Sequence, residues 1–320
     1  MQKAPPQSKW NQEKGIRVSS VMFIKGIYAG RPASFQLMIL LALVAGGTML
    51  SSGVGIGVAS AVYGYTDDMM QSPGVLRVVL FLSSAGTFLL PAWALAWLCG
   101  NQVERFLSVK GMPDAEVLGL VFVCMLLLSP VINLSEFFNK QMELPAFMEP
   151  IEAWMREQET EAEEMATLLT ARSDTVSFLS NLLVMALMAA VTEEFLFRGA
   201  LLRIIGKAVA NRHLVIWITA ATFSAFHLQF FGFLPRMLLG AYFGYLLYWS
   251  GNIWIPVFAH LMNNTIAVAI LSYPRLQEYE FLTGELSDNM VLPYAAVAGV
   301  ACLLLIPLLK RLKKRAARSV

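Results

Sequence analysis

Glu193 and Glu194 stand side by side in the stretch Val191-Thr192-Glu193-Glu194-Phe195-Leu196-Phe197-Arg198-Gly199, inside a long apolar run. An ionised carboxylate at the centre of a membrane helix costs about 2.5 to 3.5 kcal/mol on insertion scales, so a pair of them marks a functional site. On a helix Glu194 and Arg198 are four residues apart, with the acid N-terminal to the base, and this spacing predicts an internal ion pair. Glu193 points about 100° away and is left free to face something else. It is the candidate general base, a role that needs a group able to accept a proton and return it.

Two later apolar segments carry further polar intrusions: His227 in Phe223-Ser224-Ala225-Phe226-His227, and His260 with Asn264 in His260-Leu261-Met262-Asn263-Asn264. If the helix bearing Glu193 continues through Gly199 to Ala208, with Arg203 and Lys207 snorkelling, Glu193 lies 15 residues before the next turn and His227 15 after Arg212. Each is then about 22 Å along its helix, so the two side chains meet at one depth. His260 and Asn264 share a helical face and each offers a hydrogen-bond donor, which suits an oxyanion site. His260 is only 8 residues past Asn252, so the turn Ser250-Gly251-Asn252 is expected to dip into the membrane. Pro235, Pro256 and the nearby glycines predict an irregular, closely packed hairpin there.

These residues need a bilayer to make sense, and the composition supplies one. The chain is 57% hydrophobic and 14% charged, against about 45–50% and 25% for soluble domains. Spanning helices need roughly 20 apolar residues. Runs near 35–62, 75–99, 117–135, 177–198, 213–231, 233–250, 252–271 and 291–309 predict an all-α, polytopic membrane bundle of about eight transmembrane helices. With both termini cytoplasmic, the inner segments hold 18 of the 24 basic residues, Lys3, Lys9, Lys14, Arg17 and Arg198 among them, as the bias of cytoplasmic loops requires.

The opposite side collects acids. Residues 136–175 hold ten acidic residues and three basic ones, a net charge of −7. After Pro150 the apolar residues Ile151, Trp154, Met155, Met165, Leu168 and Leu169 have broadly helical spacing, which predicts an amphipathic helix on the outer surface. It reads either as a solvated connector or as a lid. Along the chain this gives a cytoplasmic N-terminal segment (1–34), a three-helix membrane scaffold (35–135), the acidic extracytoplasmic segment (136–176), the catalytic core (177–271), and a final loop, span and basic tail (272–320). The long polar stretch before the first span predicts no cleavable signal. Cys99, Cys124 and Cys302 fall in or beside spans without metal-ligand spacing and read as small buried residues. His213 reads as interfacial. No nucleic-acid-binding face stands out.

Glu193-Glu194-x-x-x-Arg198, Phe223-x-x-x-His227 and His260-x-x-x-Asn264 resemble, in order and spacing, the three signature motifs of the CPBP intramembrane proteases, which include the type II CAAX prenyl endopeptidases and bacterial Abi proteins. The third motif follows Gly251-Asn252-Ile253-Trp254-Ile255-Pro256. The resemblance covers roughly residues 177–270. It implies peptide-bond hydrolysis within the membrane, with Glu193 and His227 activating water, His260 and Asn264 stabilising the oxyanion, and Glu194 and Arg198 supporting them. Two cofactor readings stay open: no cofactor, or a zinc ion held by Glu193, His227 and His260 with one open position. The implied partners are membrane lipid and a membrane-embedded or lipidated peptide or protein. Motifs and short loops point to a bacterial cytoplasmic membrane. A non-catalytic scaffold or bacteriocin-immunity protein with the same motifs is the alternative. A proton-relaying transporter also buries Glu and His, but inverted repeats are not apparent.

Overall fold

A computed structural model describes residues 25–172, 174–284 and 286–318, and among them there are helices and turns and no strand. The N-terminal lysines and arginines up to Arg17 lie outside the described residues. The main helices are α1 (Ala33–Tyr63), α2 (Pro73–Cys99), α3 (Ala115–Lys140), α4 (Glu149–Thr170), α5 (Thr175–Ala208), α6 (Arg212–Phe226), α7 (Phe233–Ser250), α8 (Trp254–Ser272) and α9 (Asp288–Ala316). Seven helical stretches among the described residues are long and apolar enough to cross a bilayer: α1, α2, α3, α5, α7 with the turn before it, α8 and α9.

The eighth crossing differs from its predicted extent. Sequence periodicity carries it from 213 to 231, yet α6 stops at Phe226 after 15 residues, about 22 Å of helix. The His227 ring ends it by donating from Nδ1 to the Phe223 carbonyl (2.8 Å), one of the carbonyls a helix end leaves unpaired. Leu228 then turns left-handed at φ 56°. At the other end, Asn211 caps α6 by accepting from the backbone N–H of His213 and Leu214. Asp174 caps α5 in the same way, and the N–H and hydroxyl of Ser177 with the N–H of Val176 hold its carboxyl below the usual carboxylate range.

The α7–α8 hairpin is more regular than its prolines predict. Pro235 and Pro256 sit in first turns, where a missing N–H breaks no helical bond. Gly251 ends α7 at φ 59°. The turn itself is buried against residues 103–111: Ile253 N–H donates to the Ser108 carbonyl (2.9 Å) and Asn252 Nδ2 to that of Gly111 (2.8 Å). Arg203 and Lys207, both exposed, also bond to neighbouring segments. Arg203 donates to the Arg105 and Phe106 carbonyls, and Lys207 Nζ donates to Gln36 Oε1 (2.7 Å). Cys99 and Cys124 are buried, but Cys302 is exposed on the outward face of α9.

Helices α5, α7 and α8 form the centre, with α6 on α7, α3 against α7 and α8, α9 against α3 and α7, and the α1–α2 pair against α5. Apolar side chains gain nothing by leaving lipid for one another, so close backbone approach does much of the holding. A Cβ on Gly47 would lie 2.2 Å from the Gly86 carbonyl oxygen, whereas one on adjacent Gly46 would meet nothing within 4 Å. Gly47→Ala is therefore expected to destabilise the bundle by about 1–3 kcal/mol, as overpacking does, and Gly46→Ala to leave it unchanged. Thermal unfolding of both variants in detergent checks this, and equal midpoints would refute the packing.

Candidate active site

Glu193 and Glu194 sit on one ordinary helical turn, Ala189–Glu194, between two widened π-helical stretches of α5, Leu182–Met188 and Phe195–Leu201. Such stretches offset the helix face and recur at functional sites. The side chains of Glu194 and Arg198 are wholly buried, and Arg198 Nη1 donates to Glu194 Oε1 at 2.8 Å. Arg198 also donates through Nη2 to the Gly240 carbonyl (2.9 Å), with its guanidinium carbon 4.4 Å from the Phe223 ring centroid. Gly240 permits this approach, since a Cβ there would lie 3.1 Å from Nη2. Arg198 thus leaves the cytoplasmic group to which its charge assigned it and becomes a buried brace.

His260 joins the brace from α8. Its Nδ1 lies 2.9 Å from Glu194 Oε1, and its ring stacks on Phe243 with centroids 5.1 Å apart. Its Nε2 lies 3.8 Å from Glu193 Oε2. His227 Nε2 lies 3.9 Å from the same oxygen. A carbonyl only accepts, so the Nδ1 bond to Phe223 fixes the proton of neutral His227 on Nδ1 and leaves Nε2 a lone pair. Glu193 Oε2 is buried and has no hydrogen-bond partner among the described residues. The separations suit one water bonded to Glu193 and a histidine at ordinary lengths of about 2.8 Å.

Asn264 lies one turn beyond His260, but its Nδ2 donates to the Met185 carbonyl in the first widened stretch of α5 (3.1 Å) and its Oδ1 accepts from Asn263 Nδ2 (3.2 Å). One Nδ2 hydrogen remains free. His213 pairs with the Tyr245 hydroxyl (2.8 Å) on the exposed surface, apart from this group.

Glu193, His227, His260, Asn263 and Asn264 line a cavity of about 1140 Å³. Helix α4 supplies one wall, from Glu159 to Thr170. Sequence reasoning did not single out Asn263, Glu159 or Arg236 for the site. Arg236 is an arginine inside an apolar span, the same signal that marks Glu193. It donates to the Gln229 carbonyl and to Gln229 Oε1 (2.8 Å) at the cavity wall. Glu159 carries no such signal, because in sequence it is one acid among many.

The donor types around Glu193 suit zinc, but their spacing is wider than the roughly 3.3 Å between two ligands of one tetrahedral zinc with bonds near 2.0–2.1 Å. Among the described residues no group of three or more His, Cys, Asp or Glu side chains is placed to hold a metal ion.

A polytopic helical bundle that gathers its buried carboxylates, imidazoles and amides around one cavity has the parts of an intramembrane hydrolase. Residues 175–266 match the family described as Rce1-like, type II CAAX prenyl endopeptidase Rce1-like. The match spans α5 to α8 with all seven motif residues, and it supports membership of the CAAX-protease, or CPBP, family. That family is one of CAAX-type intramembrane proteases. No curated protein and no solved structure matches the chain.

Proposed function

We propose that this protein is an intramembrane endopeptidase that hydrolyses a peptide bond of a membrane-associated or lipidated protein or peptide. The observation that carries the reading is the convergence of Glu193 Oε2 with the Nε2 atoms of His227 and His260, at 3.9 and 3.8 Å, on a water-sized gap in a cavity large enough for a peptide.

Water bonded to Glu193 and His227 attacks the scissile carbonyl carbon and passes a proton to Glu193. The carbonyl oxygen becomes an oxyanion. The free Nδ2 hydrogen of Asn264 donates to it, and His260 Nε2, aimed at the same place while Glu194 holds Nδ1, donates beside it when it carries a proton. Collapse breaks the C–N bond, and Glu193 returns its proton to the departing amine. The brace of Glu194 and Arg198 keeps His260 turned toward this exchange.

The reading needs no metal. Cleavage of a quenched, lipid-anchored peptide by the purified protein in nanodiscs is expected to survive exhaustive treatment with a zinc chelator. Loss of cleavage, restored by one equivalent of zinc, would replace the water-only reading with one in which Glu193, His227 and His260 hold the ion.

A further inference from the structure

We infer that substrate reaches Glu193 from the extracytoplasmic face, and that α4 is a lid, latched by Glu159, that must lift to admit an extended polypeptide segment. The inference rests on the protease reading only in naming the incoming group a polypeptide.

The direction comes from the ends of the cavity. It follows α8 from His260 to Ser272, 12 residues or about 18 Å. That is room for about five extended residues. At the far end Ser272 is 2% exposed, and its hydroxyl has no hydrogen-bond partner among the described residues. The wall continues onto Glu136 of α3 and Glu163 of α4, at the acid-rich end of the bundle. No wall residue comes from 103–111, 203–212 or 310–318, where the basic residues gather. Basic loops mark the cytoplasmic side, so the mouth faces the other way.

The lid follows from the short α6. A helix of about 22 Å leaves residues 227–229 and the short 3-10 turn Phe230–Gly232 below the outer edge of a hydrocarbon layer about 30 Å thick. Backbone at that depth has to be covered by protein or line a wet cavity. Helix α4 covers it. The Trp154 ring lies 5.4 Å from that of Phe230, the Arg156 guanidinium 4.5 Å from that of Phe231, and the Phe231 N–H lies near the Glu159 carboxylate and attracts it.

The attachment is uneven. Of the residues of α4 only Met155, Leu169 and Thr170 are buried. At its C-terminal end the Leu169 carbonyl accepts from both Arg77 Nη2 (3.0 Å) and Asn181 Nδ2 (2.9 Å), tying it to α2 and α5. The N-terminal half rests on the contacts to 230–231, on buried Met155 and on the Leu144 N–H that donates to Glu152 Oε2 (2.9 Å). Glu159 Oε2 is buried without a hydrogen-bond partner among the described residues, so this latch is incompletely satisfied. Burial pushes the Glu159 carboxyl up, against the downward pull of Phe231 N–H and Arg236. A helix fixed at one end and lightly docked at the other pivots about Leu169.

Maleimide labelling in oriented vesicles tests both parts without using proteolysis, so this inference and the protease reading fail separately. The full-length chain, with Cys99, Cys124 and Cys302 changed to Ala, carries one cysteine at a time. Glu163→Cys is expected to react with a membrane-impermeant maleimide in right-side-out vesicles, and Ala210→Cys only in inverted ones. Ala267→Cys, in the cavity wall, is expected to react slowly from the outside and roughly tenfold faster when Glu159→Ala or Trp154→Ala removes a latch contact. Reaction of Ala267→Cys only in inverted vesicles would overturn the direction. An unchanged rate in both latch variants, with Glu163→Cys labelled normally, would overturn the lid.

Discussion

Glu193→Gln is expected to lower peptide hydrolysis by about 10²- to 10⁴-fold, the usual contribution of a positioned acid–base group, without loosening the bundle. The two halves of that expectation have one cause. Glu193 Oε2 is buried beside two imidazoles and bonded to neither. It contributes little to holding helices together, and its charge opposes burial. Glutamine keeps the shape, removes the charge and cannot carry the proton. Thermal unfolding in detergent should therefore show the variant at least as stable as the native protein while cleavage collapses. A variant that lost activity and stability together would mark Glu193 as structural.

Arg198→Leu is expected to do the reverse and remove the fold. It leaves the Glu194 carboxylate buried and without its guanidinium partner, and breaking a buried pair from one side costs roughly 3–5 kcal/mol. Arg198→Lys is expected to rescue poorly. One ammonium cannot reproduce the planar fork that reaches Glu194 Oε1 and the Gly240 carbonyl at once beneath the Phe223 ring. Yield of folded protein and its unfolding midpoint check this, and a stable Arg198→Lys protein would show that the fork is dispensable. The proposed mechanism thus gives the neighbouring carboxylates separate roles, Glu194 holding structure while Glu193 is kept available.

The division was legible in sequence because it depends on spacing within one helix. Four residues put Arg198 on the face of Glu194, and one residue turns Glu193 away. The meeting of Glu193 and His227 was also legible, since equal distances from a shared turn set equal depth. The partners of His260 and Asn264 were not. They depend on how α8 lies against α5, and the widened stretches at Leu182–Met188 and Phe195–Leu201 shift faces in a way that regular 3.6-residue periodicity does not register. The end of α6 escaped for a related reason. No glycine or proline stands at Phe226, and the stop is made by the ring of His227 folding back on Phe223. The place of α4 was open between connector and lid because its docking contacts, Trp154 on Phe230 and Glu159 with Phe231, join segments some 70 residues apart whose encounter only the fold decides.

The most direct measurement is a comparison of new protein termini, by mass spectrometry of membranes, between cells expressing the native chain and cells expressing equal amounts of Glu193→Gln. The account predicts a set of termini present with the native chain and absent with the variant, and the proteins that carry them are the substrates. Identical termini in the two cells, with a phenotype of the native chain intact in the variant, would contradict hydrolysis and leave a scaffold that keeps the motifs without the chemistry.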